Sequence, residues 1–195
     1  MNITKRTSRA AGLVLVAVTA LTVAGCTYSS TGSHGTRSEL YDSAAAMARD
    51  SSVIAEVVIL DQTERSGEDT SPMTISTAKV TKTIPTSVTG EDLPDEASRT
   101  ALTDGTTITI RQMGLRNSDS ETPYMEIGSS YLVFLTPTGL PDVPDTEFYI
   151  TGAVAGLYEA DSSAHRGGTE GDYNRLSDDA DKIPSTLTED DLLSL

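Results

Sequence analysis

Val53-Ile54-Ala55-Glu56-Val57-Val58-Ile59-Leu60 and Ser130-Tyr131-Leu132-Val133-Phe134-Leu135-Thr136 decide the fold of this 195-residue chain. Both runs are short, densely apolar and rich in β-branched or aromatic residues, which is strand composition. The first, interrupted only by Glu56, predicts a strand covered on both faces or lying at a seam. Thr106 to Met113 alternates instead, with Ile108, Ile110 and Gln112 on one face and Thr107, Thr109 and Arg111 on the other. Met73 to Ile84, Glu147 to Thr151 and Val154 to Ala160 are three further candidate strands. Turn residues separate them: Ser66-Gly67-Glu68-Asp69, Asp104-Gly105, Gly114, Gly128, Thr138-Gly139 and Pro141. The expectation is a mainly β domain, a small closed or nearly closed barrel of five or six strands.

One α-helix is predicted ahead of the strands. Thr36 and Glu39 have the spacing of a capping box, and Leu40, Tyr41, Ala44, Met47 and Ala48 follow at helical intervals until Asp50-Ser51-Ser52. Between strands, Pro85 to Gly105 is a long connection with two prolines and five acids. Connections of that length are uncommon in a compact domain and are either functional or disordered, and the functional reading makes this one a candidate binding element.

The order of these segments carries a resemblance. Val53–Leu60, a strand ending at Val80-Thr81-Lys82-Thr83, Asp104-Gly105-Thr106-Thr107-Ile108-Thr109-Ile110, Gly128–Leu135 and Tyr149-Ile150-Thr151-Gly152 follow one another. Over about residues 52–160 this resembles the secreted bacterial domains akin to netrin-like, metalloprotease-inhibitor-like modules of the OB fold. The resemblance implies an OB-like β-barrel. Those inhibitors use disulfides and a free N-terminal Cys that reaches the target's zinc. This chain has a single Cys, so the resemblance implies a fold and not protease inhibition.

The N-terminal segment speaks to location. Met1 to Arg9 carries Lys5, Arg6 and Arg9 and no acid, and Ala10 to Ala24 is apolar apart from Gly12, Thr19 and Thr22. A basic stretch followed by a short apolar one is the layout of a secretory signal, too short for a comfortable membrane span. At its end Val23-Ala24-Gly25-Cys26 resembles the bacterial lipobox. That resemblance implies peptidase recognition of Val23, Ala24 and Gly25 and a diacylglyceryl group on Cys26. Acyl chains contribute about 0.8 kcal/mol per buried CH₂, enough for two or three to hold a protein on a membrane. The expected organisation is a signal peptide (1–25), lipidated Cys26 with a Ser/Thr-rich spacer (26–37), the helix and barrel (38–160), and an acidic tail (161–195). The spacer has seven Ser or Thr between Thr27 and Ser38, and the tail has nine acids against three bases. From that composition both read as disordered, with Thr188–Leu195 the one stretch of the tail suited to a short helix.

Charge and composition exclude several functions. Fourteen Lys and Arg against 29 Asp and Glu give a net charge of -15, which opposes binding to a phosphate backbone; no nucleic-acid partner is expected. The two His, His34 and His165, lie in the spacer and the tail, no G-x-S-x-G is present, and a zinc site lacks its ligands. No cofactor is expected. Tyr131, Phe134, Phe148, Tyr149 and Tyr158 sit on strands as core residues do. Asp178-Asp179-Ala180-Asp181 and Glu189-Asp190-Asp191 offer hard oxygens for calcium, but an EF-hand started at Asp179 fails, because Ile183 and Pro184 occupy its fifth and sixth positions.

The functional expectation is a membrane-anchored extracytoplasmic lipoprotein, a non-enzymatic module binding a protein or envelope ligand through the barrel and the 85–105 loop. Two alternatives belong to other classes: a carboxylate-dependent envelope hydrolase, and a cation-binding surface protein that uses its acidic tail. Four Lys in the chain, with abundant Thr, Ala and Asp, point to a high-GC Gram-positive host.

Overall fold

The computed structural model describes residues 40–67, 70–93, 102–116, 118, 122–161, 172–177 and 181–195. In chain order they form α1 (Ala44–Arg49), β1 (Val53–Gly67), β2 (Thr70–Thr83), β3 (Thr107–Met113) and β4 (Ser130–Pro137). Then come β5 (Glu147–Ile150), β6 (Leu157–Ala160), β7 (Tyr173–Arg175), β8 (Thr186–Leu187) and α2 (Glu189–Leu193). The fold is mainly β, as expected, with eight strands in one sheet where five or six were expected. The two extra strands, β7 and β8, come from the segment read as a tail.

The sheet folds back on itself. β1 pairs antiparallel with both β2 and β4, β2 with β3, and β4 with β5, while β3 and β5 run parallel. The pairings β1–β2–β3–β5–β4 therefore return to β1, and the spatial order β4-β1-β2-β3 is that of a Greek key. β5 and β6 share the other edge of β4: β5 lies opposite Leu135–Pro137 and β6 opposite Tyr131–Val133. At the turn between them the sheet forks, β5 continuing to β3 and β6 to β7 and β8. Gly156 closes that turn, where a Cβ would stand 2.8 Å from Phe134 Cβ and 2.9 Å from the Thr151 carbonyl oxygen. Any larger residue pushes the turn off β4.

Two apolar cores lie on opposite sides of β1 and β4. Val53, Ala55, Val57 and Ile59 join Tyr131, Val133, Leu135, Ile108, Ile110 and Phe148 inside the cycle of strands. Ile54, Leu132 and Phe134 face the other way and pack with Met47 and Ala48 of α1, Tyr158, Tyr173, Leu187 and Leu192 of α2. This second core is the physical reason why Val53–Leu60 and Ser130–Thr136 read as continuous apolar runs: each face of the strand has its own cover.

α1 starts later than the sequence pattern suggests. Ser43 is its N-cap, with the hydroxyl accepting from the Ala46 N–H at 3.1 Å, while Thr36 and Glu39 lie outside the described residues. Its C-terminus is joined to the β5–β6 turn by the buried Ser51 hydroxyl, 2.7 Å from the Met47 carbonyl oxygen and 2.9 Å from Thr151 Oγ1.

The C-terminal segment corrects the reading of 161–195 as a disordered tail: residues 172–177 and 181–195 are folded onto the domain. Tyr173, Ile183, Leu187 and Leu192 are buried in the second core. The Tyr173 hydroxyl donates to Glu56 of β1, Glu189 pairs with Lys82 of β2, and the Tyr158 hydroxyl donates to the Pro184 carbonyl at 3.0 Å. Thr188 and Asp191 form a capping box at the start of α2. The Tyr41 N–H donates to Asp181 Oδ1 at 2.6 Å and the Lys182 N–H to the Tyr41 carbonyl at 2.9 Å, so both ends of the described chain are fastened together. No helix among the described residues is long and apolar enough to cross a membrane.

Candidate binding surface

Opposite the second core, the outer face of β2, β3 and β5 carries no helix among the described residues. Register places its side chains in rows across the strands. Met73 stands beside Met113, Ile75 beside Arg111 and Tyr149, and Thr77 beside Thr109 and Glu147. All are half-buried except Glu147, which is buried. Their neighbours along the same strands, Thr74, Ser76, Ile108, Ile110, Gln112 and Phe148, point inward and are buried. The period of two thus delivers one buried face to the core and leaves a second, mixed face open.

An ion pair anchors the middle of this surface. The Arg111 side chain donates to Glu147, with 14% and 10% of the two side chains exposed. Arg111 Nη1 also lies 3.3 Å from the Met73 sulfur. A charge pair this poorly hydrated is held in place, because losing either partner strands the other. Around it Met73, Met113, Ile75 and Tyr149 present adaptable and aromatic surface, with Thr77 and Thr109 hydroxyls at one end. Methionine side chains in particular adjust to varied partner shapes. Chemically the surface suits contact with a flat or extended partner.

Along one side of this face β1 runs on past β4 as its edge strand, with Asp61, Thr63 and Arg65 beside Thr77, Ile75 and Met73 of β2, which pair in turn with β3. Pairing of β1 with β4 ends at Val58, and the Gly128 N–H closes the junction on the Ile59 carbonyl at 2.8 Å. A bulge between Ile59 and Asp61 follows, after which β1 pairs with β2 alone. Side chains brace this edge strand: Gln62 Nε2 donates to the Met125 carbonyl at 2.8 Å, and the Arg116 N–H donates to Glu64 Oε1 at 3.0 Å.

The carboxylates singled out from the sequence are engaged in holding the fold. Asp181 accepts from the Tyr41 N–H, and Glu189 pairs with Lys82. Asp191 is held below the ordinary carboxylate range by hydrogen bonds from the Thr188 hydroxyl and then its N–H. Asp178 and Asp179 lie outside the described residues. Among the described residues no group of three or more His, Cys, Asp and Glu is placed to hold a metal ion. Two other groups titrate away from their usual values. Burial pushes the Tyr131 phenol up inside the cycle of strands, and Asp42 raises Lys182 at the surface.

The described ends of the 85–105 connection pack against the domain. Gly90 and Asp92 donate N–H bonds to Ala48 and Arg49 at the end of α1, Ile84 is buried in the second core, and Leu102 is buried within the first. Residues 94–101 lie outside the described residues, as do Val23, Ala24, Gly25, Cys26, His34 and His165. The open face and its β1 edge emerge from structure; the sequence signal for the face was the alternation of Thr107, Thr109 and Arg111 against Ile108 and Ile110. No family model matches this chain, and no curated protein matches it at a significant level.

Proposed function

We propose that this chain is a membrane-anchored extracytoplasmic lipoprotein whose OB-like barrel is a non-enzymatic binding module for a protein or envelope ligand, with the outer face of β2, β3 and β5 as its contact surface. The observation that carries the reading is the asymmetry of cover. One side of the sheet is sealed by α1, α2 and the C-terminal segment, and the other presents Met73, Ile75, Met113 and Tyr149 half-buried around the Arg111–Glu147 pair. The barrel reading is supported by the return of the pairings to β1 and by the Greek-key order. Engagement of Glu56, Glu147, Asp181 and Glu189 by Tyr173, Arg111, Tyr41 and Lys82 favours a binding role over carboxylate catalysis.

Anchoring rests on the basic and apolar N-terminal stretches and on Val23-Ala24-Gly25-Cys26. With acyl chains on Cys26, the thirteen residues 27–39 span at most about 45 Å at ~3.3–3.6 Å each, which keeps the domain near the bilayer. The test uses the full chain in its native envelope. Labelled palmitate is incorporated by the parent and lost in Cys26→Ser. Species captured with the parent are lost in Ile75→Glu and Met113→Glu and kept in Thr186→Glu, at an exposed site on β8. Equal capture by all four chains removes the assignment of the face.

A further inference from the structure

We infer that two copies of this chain associate by antiparallel pairing of the β1 edges, residues 61–65, about a two-fold axis at Thr63. The inference does not depend on the binding role proposed above.

The free edge follows from the hydrogen-bond pattern. The Gly114 N–H donates to the Pro72 carbonyl at 2.8 Å, the Val80 N–H to the Thr106 carbonyl at 2.9 Å and the Gly105 N–H to the Val80 carbonyl at 2.8 Å. The even-numbered backbone groups of β2 therefore face β3, and those of Met73, Ile75 and Thr77 face β1 at Arg65, Thr63 and Asp61. Direction alternates along a strand, so the N–H and C=O groups of Gln62 and Glu64 point away from β2. Among the described residues no other backbone group pairs with this edge.

Its sequence is self-complementary. With antiparallel pairing centred on Thr63, residue 61 meets residue 65 of the partner subunit, 62 meets 64, and Thr63 meets Thr63. Gln62 and Glu64, whose backbone groups face outward, form the hydrogen-bonded positions. Asp61 then falls opposite Arg65 of the partner subunit in a non-hydrogen-bonded pair, where side chains approach most closely. The symmetry repeats that contact, so one registry brings two opposite-charge pairs and one Thr–Thr pair. Asp61 and Arg65 are both exposed. Edge strands that resist pairing place like charges or inward-pointing charges where a second copy would dock; here the two signs are spaced so that a second copy meets its opposite. Pairing also places the open faces of two protomers side by side across the axis, since Thr63 shares its face with Met73 and Ile75.

The test is made on the full chain in its membrane, with Thr63→Cys as reporter. A non-hydrogen-bonded pair brings Cα atoms to about 4.5 Å, within disulfide reach. Mild oxidation is expected to yield a covalent dimer that is absent in the parent and in Thr186→Cys. In the Thr63→Cys background, Asp61→Arg or Arg65→Asp opposes like charges twice and is expected to lower the yield about tenfold. Asp61→Arg with Arg65→Asp rebuilds both pairs with signs exchanged and is expected to restore it. Cross-linking at Thr63 no greater than at Thr186, or a double reversal as poor as the single ones, overturns the inference.

Discussion

β4 and β3 are joined through β5 in one cycle of strands, yet they meet solvent differently. Five consecutive side chains of β4, Tyr131 to Leu135, are buried, whereas β3 alternates, with Ile108, Ile110 and Gln112 buried and Thr109, Arg111 and Met113 half-buried. What differs is the cover: α1 and the C-terminal segment lie over β1, β4 and β6, and no described element lies over β2 and β3. A strand's hydrophobic pattern thus records what packs on each of its faces more than any preference of its own backbone. The covered half carries the second core, and the open half keeps a mixed face.

Substitutions sharpen this contrast, beginning with the largest effect. Phe134→Ala empties a fully buried site in the second core and is expected to cost about 3–5 kcal/mol in denaturant unfolding. Leu192→Ala is expected to cost about 2–5 kcal/mol, because α2 is part of the core; a change within about 0.5 kcal/mol would return 181–195 to the status of a dispensable tail. Glu147→Gln leaves Arg111 without its charged partner on the open face, and a loss of about 1–3 kcal/mol is expected by the same measurement. Ile75→Thr, beside Arg111 on that face but outside the ion pair and keeping the β-branch, is expected to cost no more than about 1 kcal/mol of stability while reducing ligand capture. A stability loss as large as that of Phe134→Ala would erase the distinction between the halves.

The smallest effect concerns pH. The folded-state value of Asp191 lies below its unfolded one, so its stabilising contribution is present above the unfolded value and lost as pH falls through the folded one. Asp191→Asn is therefore expected to lower the unfolding midpoint slightly at neutral pH, with the difference closing as both chains are titrated into the acid range. A difference that stays constant down to low pH would mean that the capping box acts through shape and not through charge.

Much of the sheet was legible because strand burial repeats every two residues or, when both faces are covered, not at all. The ends of β3 and β4 fall close to the runs read from the sequence, and β1 starts at Val53 as read but continues beyond Leu60 to Gly67. The C-terminal segment was misread for a definite reason. Its acids outnumber its bases, and Tyr173, Ile183, Leu187 and Leu192 are spaced too irregularly to show a strand or helix period. Each fills a place in a core built by other segments, and composition averages over such isolated anchors. The open face was half legible: alternation separated Thr109 and Arg111 from Ile108 and Ile110, but Glu147, 36 residues from Arg111, carries no local signal of that pairing.

By itself the sequence determined the mainly β class, the order of the first six strands, the acidic character, and the basic and apolar N-terminal stretches that end in Cys26. These are local properties, written in side-chain period, turn chemistry and charge. Tertiary structure alone decided that β1 joins β2 to β4 and that β3 runs parallel to β5. It also decided that an acid-rich C-terminal segment completes a second core and that, among the described residues, β1 pairs beyond Ile59 with β2 alone. These depend on which distant residues meet, and an excess of surface charge is no bar to folding when four buried side chains and their hydrogen bonds hold the segment down.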